Sequence, residues 1–271
     1  MDKNNLKIAF IGGGNMASCI FKSALASVAP ACISVSGPHI EKLQHFKDDG
    51  ATITNSNVEA AQNSNMVFLA VKPQNLTAVL EELVKAKVDF SGKLVISMAA
   101  GFKLSSIEKI ISSKRLVRIM PNTPAKIGHG ATAVSFYEVS EADKSAVYEV
   151  LNAMGKSFEC SEQGLNVIGA IAGCGPAFVF RFMEAFIHEG IANGLDAATA
   201  RGIVEETVLG SALLSCASKD TEISSLREAV TSKGGTTAAG LAKMTEHDFE
   251  TTIKDTVKAS LDRTYEFENL Y

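Results

Sequence analysis

The chain has no tryptophan, four tyrosines and six prolines in 271 residues, and it lacks any basic run or interleaving of aromatic with basic residues. With a net charge of −4, that absence removes the electrostatic footprint of a nucleic-acid binder. Apolar stretches of bilayer length are also missing. The longest, 167–180, is interrupted by glycines and Pro176 and closes at Arg181, so no membrane segment is expected. Metal-ligand spacing is absent from the five cysteines, Cys19, Cys32, Cys160, Cys174 and Cys216. Their odd number and scatter read as reduced thiols, with no disulfide framework and no metal site. The N-terminal residues read as the strand of a first βα unit instead of a signal peptide, which makes the cytoplasm the expected compartment. What remains, 46% hydrophobic and 21% charged, is the composition of a soluble protein able to bury one large core or two smaller ones.

Short β-like runs alternate with helix-length segments through the first 160 residues. Strands are expected at 7–11, 32–36, 66–71, 94–98, 115–120, 130–136 and near 156–160, with helices at 15–27, 39–48, 75–86, 104–112 and 141–154. Such alternation implies a mostly parallel sheet covered by helices on both faces. Beyond Ser161 no strand pattern survives, and apolar residues recur at helical spacing in 176–193, 197–217, 222–230, 236–245 and 247–266. The expected fold is α/β: a Rossmann-type doubly wound sheet over 1–162, followed by an all-helical domain over 163–271. Within the second domain, Gly173, Gly175 and Pro176 are expected to break the helix. The C-terminal Glu268-Asn269-Leu270-Tyr271 matches the start of a protease-cleavage tag and is left out of the functional reading.

The clearest chemical motif follows the first strand. Gly12-Gly13-Gly14-Asn15-Met16-Ala17 fits G-x-G-x-x-G/A, with an apolar strand before it and a helical pattern after it. Gly12 would make the tight turn, Gly14 would admit a pyrophosphate to the N–H groups around Asn15 and Met16, and Ala17 would keep the helix close to the strand. An acid about twenty residues on would select NAD through its ribose hydroxyls. Here the second strand ends in Ser36-Gly37-Pro38-His39 and the first acid is Glu41. The missing carboxylate favours NADPH, with Ser36 as a hydrogen-bond donor to the 2′-phosphate and NADH as the alternative.

Ligands of such sheets sit beyond the carboxyl ends of the strands. The loops there are Ala70-Val71-Lys72-Pro73-Gln74, Met98-Ala99-Ala100-Gly101 and Met120-Pro121-Asn122-Thr123-Pro124-Ala125. Ala70, Lys72, Pro73, Ala99 and Asn122 are the expected cofactor contacts. Asn122 is either a partner of the nicotinamide amide or the former of an Asx-type turn. Lys72 is near phosphate or ribose, or caps a helix; Asn57 is an N-cap or a contact on the adenosine side.

A second anion site is readable far from the first. Residues 226–241, LREAVTSKGGTTAAGL, place a Gly-Gly-Thr-Thr turn at the start of a helical pattern. Unpaired N–H groups and the positive end of the helix dipole suit a small carboxylate there. A cap followed by a packed helix is the alternative.

GGGNM, VKPQ, MPNTPA, GCGPA and LREAVTSKGGTTAAGL, in this order and approximate spacing, resemble pyrroline-5-carboxylate reductase over nearly the whole chain. The resemblance implies NAD(P)H-dependent reduction of the cyclic imine (S)-1-pyrroline-5-carboxylate to L-proline, by homodimers joined through the helical domain and often assembled into rings. It implies Thr237 as the group hydrogen-bonded to the imine nitrogen, with Ser232 and the backbone of Gly234, Gly235 and Thr236 on the substrate carboxylate. Lys233 stands where proline is common and Cys174 where serine is common. Two rival readings are a related oxidoreductase acting on another imine or a 3-hydroxy acid, and a nucleotide-sensing protein that retains the fold.

Overall fold

In the computed structural model, which describes residues 6–270, the apolar runs of the first half become strands: β1 (Ile8–Ile11), β2 (Ile33–Ser36), β3 (Thr52–Thr54), β4 (Met66–Leu69), β5 (Leu94–Ser97), β6 (Leu116–Met120), β7 (Gly130–Tyr137) and β8 (Gly155–Glu159). They form one sheet in the order β3-β2-β1-β4-β5-β6-β7-β8. Strands β1 to β6 are all parallel to one another, β7 runs antiparallel to β6, and β8 is parallel to β7. The short link between β6 and β7 explains the reversal, because a parallel return needs a crossover of about a dozen residues or more.

Every residue of β1, β4 and β5 is buried. Their side chains alternate between two cores. Ile8, Phe10, Met66, Phe68, Leu94 and Ile96 enter one; Ala9, Ile11, Val67, Leu69 and Val95 enter the other. A sheet covered on both faces needs apolar residues at every position, which is why these runs are continuous. Phe10 stacks on Phe68 with ring centroids 4.9 Å apart, and Phe21 meets Phe10 edge-on at 6.5 Å. Helices α1 (Asn15–Ala24) and α6 (Glu141–Leu151) supply the first core; α3 (Asn57–Gln62), α4 (Pro73–Lys85) and α5 (Leu104–Ile111) supply the second. The segment expected as one helix at 39–48 is a 3-10 turn at 40–43 followed by α2 (Gln44–Asp48). Strand β3, absent from the sequence reading, is a three-residue edge strand with Thr52 exposed.

Beyond β8 come α7 (Glu162–Ile168), a π turn at Gly169–Gly173, α8 (Gly175–Ala192), α9 (Ala197–Ala217), α10 (Ile223–Ala229), α11 (Thr236–Glu246) and α12 (Phe249–Glu268). The helical path from Glu162 to Ala192 is continuous over 31 residues. This corrects the expected break at Gly173, Gly175 and Pro176: the π turn, closed by Cys174 N–H on the Gly169 carbonyl at 3.1 Å, carries the chain past the proline. It also corrects the expectation that no segment is long enough for a bilayer, since by length and composition this helix would be.

The described residues divide into two compact units, one running to Cys174 and resuming at Ser260, the other Gly175–Ala259. In the first, Arg118 of β6 is fully buried, with Nη1 3.2 Å from Glu162 Oε1 and 3.6 Å from Glu268 Oε1, and Nη2 3.4 Å from Asn166 Oδ1. Glu162 also accepts the Leu104 N–H at 2.7 Å, so one buried cation ties β6 to the starts of α5 and α7. Glu268, matched on the sequence to a cleavage tag, ends α12 and accepts from Asn166 Nδ2 at 2.7 Å; Tyr271 of that match lies outside the described residues. In the second unit Asp196 caps α9 by accepting the N–H groups of Ala198 and Thr199 at 3.1 and 3.0 Å. Val179, Phe180, Phe186, Leu209, Leu213 and Leu214 are exposed on α8 and α9.

Candidate active site

The strand order reverses between β1 and β4, and the crevice outside their carboxyl ends is the ligand position of this topology. Gly12 makes the turn there, with φ at +104° and its N–H on the Ser36 carbonyl at 2.9 Å. A Cβ at Gly12 would lie 2.7 Å from the Ala70 carbonyl oxygen, so the turn is pressed against the end of β4. Gly14 differs. It is extended, at φ −79° and ψ 179°, and a Cβ built on it meets nothing within 4 Å. Gly14 is the N-cap of α1 without a side-chain cap, and the N–H groups of Asn15, Met16 and Ala17 have no partner among the described residues. Open space in front of unpaired donors at a helix N-terminus fits a dinucleotide pyrophosphate.

Around this cradle the other expected contacts take different places. Ala70 follows β4 and donates its N–H to the Ile11 carbonyl at 2.8 Å. Lys72 is exposed at the N-cap of α4, but its side chain makes no cap bond; Pro73, the first helical residue, needs no donor there. Ala99 is buried, with its N–H on Ser97 Oγ at 3.3 Å. Ser36 departs from the sequence expectation: it is fully buried, and its hydroxyl donates to Asn57 Oδ1 at 2.8 Å instead of standing open to a ligand. Asn57 is not the N-cap of α3; Ser56 is, accepting the Glu59 N–H at 3.1 Å, while Asn57 Nδ2 donates to Glu82 at 2.9 Å. Just beyond β2, Pro38 and His39 are exposed, with His39 Nδ1 3.4 Å from Glu41. Asn122 is buried, and its side chain accepts from the Ala131 N–H at 2.9 Å and donates to the Ala172 carbonyl at 3.0 Å. The buried Arg118, which stands beneath this loop in β6, was missed on the sequence although a charge inside the run RLVRIM signalled it.

In the second unit Ser232 to Gly235 close a β-turn, with the Gly235 N–H on the Ser232 carbonyl at 3.0 Å and Gly234 at φ +71°. A positive φ at the third turn position is what glycine supplies there, and Lys233 holds the second position, where proline is favoured in such turns. The turn uses the Gly235 N–H, which removes it from the expected carboxylate donors. Gly235 is the N-cap of α11 and no side chain caps that helix. The N–H groups of Thr236, Thr237 and Ala238 have no partner among the described residues, and Ser232, Thr236 and Thr237 are exposed. The pairing of a turn glycine with an uncapped helix start makes this a seat for a small anion, flanked by hydroxyls. No cluster of three or more metal-ligating side chains occurs among the described residues.

Comparison with known proteins agrees with this geometry. Residues 162–267 match the family model described as pyrroline-5-carboxylate reductase dimerisation, and residues 7–101 match one described as NADP oxidoreductase coenzyme F420-dependent. The pyrroline-5-carboxylate reductase of Vibrio alginolyticus is 40% identical over 270 residues, 98% of each chain. A solved pyrroline-5-carboxylate reductase from Coxiella burnetii superposes with a TM-score of 0.88 at 35% identity, covering 97% of this chain and 99% of that one. The Plasmodium falciparum enzyme, solved with NADP bound, gives 0.86 at 28% identity over 97% and 98%. With a parallel sheet carrying a dinucleotide cradle, a helical second unit with an anion seat, and near-complete coverage by such relatives, the chain belongs to the pyrroline-5-carboxylate reductase family.

Proposed function

We propose that this protein reduces (S)-1-pyrroline-5-carboxylate to L-proline with NADPH, NADH being the alternative donor. The observation that carries the reading is the uncapped start of α11, where Thr236, Thr237 and Ala238 present free N–H groups, and the two threonines their hydroxyls, to an anion. When bound, the nicotinamide supplies the hydride that adds to the imine carbon. The chain's own groups hold and orient. Ser232 and the N–H groups of Thr236, Thr237 and Ala238 bind the carboxylate, and the Thr237 hydroxyl oxygen accepts from the N–H of the protonated imine, whose proton comes from water before the hydride is transferred. A threonine hydroxyl is a weak acid, so its contribution is orientation and electrostatic stabilisation. No stronger acid is required, because an imine reacts in its protonated form.

The cradle at Gly14, with Asn15 and Met16, receives the pyrophosphate. Preference for NADPH rests on the lack of a carboxylate at the end of β2, since Ser36 is buried. Exposed apolar side chains on α8 and α9, Phe180 and Leu213 among them, are the surface a second copy covers in a homodimer, from which larger assemblies are built. The five unpaired cysteines suit the reducing cytoplasm. The test follows NADPH oxidation with pyrroline-5-carboxylate and measures the proline formed. Thr237→Ala is expected to lower turnover by about ten- to a hundredfold, the loss of a hydrogen bond to a charged group. A folded wild type that binds NADPH and produces no proline refutes the assignment.

A further inference from the structure

Asn122 lies in the loop after β6, among the expected cofactor contacts, yet both ends of its side chain are already engaged: Oδ1 by the Ala131 N–H at 2.9 Å and Nδ2 by the Ala172 carbonyl at 3.0 Å. The second bond has a cause in the sequence. Ala172 precedes Pro176 by four residues, and in a regular helix the N–H of residue 176 would bond to the carbonyl of residue 172. Proline has no N–H, so that carbonyl is orphaned wherever the helix continues past it. The helix does continue, through the π turn closed by Cys174 on Gly169. The amide of Asn122 supplies the donor that Pro176 lacks. The same turn packs on the loop from a second direction, because Cβ positions built on Gly169 and Gly173 fall 3.5 and 3.9 Å from Met120 Cγ.

We propose that Asn122 is a positioning residue, which fixes the cofactor loop 120–125 against the π turn by replacing the N–H missing at Pro176, and does not itself reach the nicotinamide. The inference rests on the reading above that this loop serves NADPH. A part-buried acceptor left without its donor destabilises its surroundings. Here those surroundings are the loop itself, so the effect reaches cofactor affinity.

A double-mutant cycle tests this directly. Asn122→Ala and Pro176→Ala are made singly and together in the full chain, the dissociation constant for NADPH is measured by titrating NADPH fluorescence, and melting temperatures are recorded beside it. Asn122→Ala is expected to raise the dissociation constant about tenfold in the native background. In the Pro176→Ala background, where residue 176 regains its N–H, the same change is expected to raise it no more than about twofold or threefold. An equal factor in both backgrounds, the result of direct contact with the nicotinamide, overturns the proposal. So does a lowered melting temperature with an unchanged dissociation constant, the result of a role confined to folding. Should Asn122→Ala not fold, Asn122→Asp retains an oxygen for the Ala131 N–H and closes the same cycle. Since the readout is binding, a wild type that binds NADPH but forms no proline removes the assigned reaction and leaves the cycle readable; a wild type that does not bind NADPH overturns both.

Discussion

Two glycines of the nucleotide turn, two residues apart, respond to the same substitution in opposite ways. At Gly14 the backbone is extended and a Cβ meets nothing within 4 Å, so Gly14→Ala introduces neither strain nor clash. Its effect on stability is expected to stay within about 1 kcal/mol of zero, because the stiffened unfolded chain offsets the poorer fit of alanine at an N-cap. The new methyl instead occupies the approach to the N–H groups of Asn15 and Met16. Losing one charge-assisted hydrogen bond there weakens NADPH by about 1.5–3 kcal/mol, roughly 10- to 150-fold in dissociation constant.

Gly12 has φ at +104°, and its Cβ would stand 2.7 Å from the Ala70 oxygen and 2.8 Å from the Ala70 carbonyl carbon. Both obstacles are backbone, so Gly12→Ala must part the turn from β4. A strained conformation alone costs about 1–3 kcal/mol, and the clash adds to it. In a chain of this size each kcal/mol lowers the melting temperature by about 2–4 °C. Thermal unfolding and NADPH fluorescence titration on the two variants give the answer. The reasoning is refuted if Gly14→Ala binds NADPH like the wild type, or if it loses as much stability as Gly12→Ala.

Asp143 gives a pH dependence. The Arg115 guanidinium, bonded through Nε at 2.8 Å, together with Ser140 at the start of α6, holds its carboxyl at about 2. A depressed folded value means stability present above the unfolded value near 4 and lost as pH falls towards 2; about 2 kcal/mol is expected to go, and Asp143→Asn should flatten that limb in denaturant titrations run across the range. On the helical unit, Phe180→Glu puts a charge on a side chain 59% exposed in the single chain, and sedimentation should show dissociation at concentrations where the wild type is dimeric. Unchanged self-association would move the dimer surface elsewhere.

The sequence made the strands legible where burial on both faces demands unbroken apolar runs, as in IAFI and MVFL. It hid β3, because Thr-Ile-Thr at a sheet edge is too short to carry a period. The π turn was hidden for another reason: Gly173, Gly175 and Pro176 are helix breakers locally, and only a donor from elsewhere, Asn122, makes continuation tolerable. No local pattern announces a partner fifty residues away. Ser56 is the opposite case. Ser-Asn-Val-Glu at 56–59 is a capping signature that favours Ser56, the cap the structure shows, over Asn57. Ser36 and Asn57 were both plausible as ligand contacts by residue type, and the structure turns them towards each other, because a buried hydroxyl at a strand end takes the nearest acceptor.

What was legible in both halves is the same device. Helices α3, α6, α7 and α9 carry a Ser or Asp whose side chain caps the first turn. At α1 and α11 the cap is glycine and no side chain accepts from the helix. A Ser or Asp there would stabilise each helix by roughly a few tenths of a kcal/mol, so the glycines hold the folded chain slightly below the stability its own local chemistry allows. Leaving those N–H groups free is useful if an anion completes them, and one such helix start occurs in each unit. On the proposed function the first, which follows a parallel strand at the reversal of strand order, receives the pyrophosphate, and the second, which follows a tight turn flanked by Ser232, Thr236 and Thr237, receives the carboxylate. A reductase that acts on a cyclic imino acid with a dinucleotide needs two anion seats, and on the proposed reading the two helix starts capped by glycine provide them.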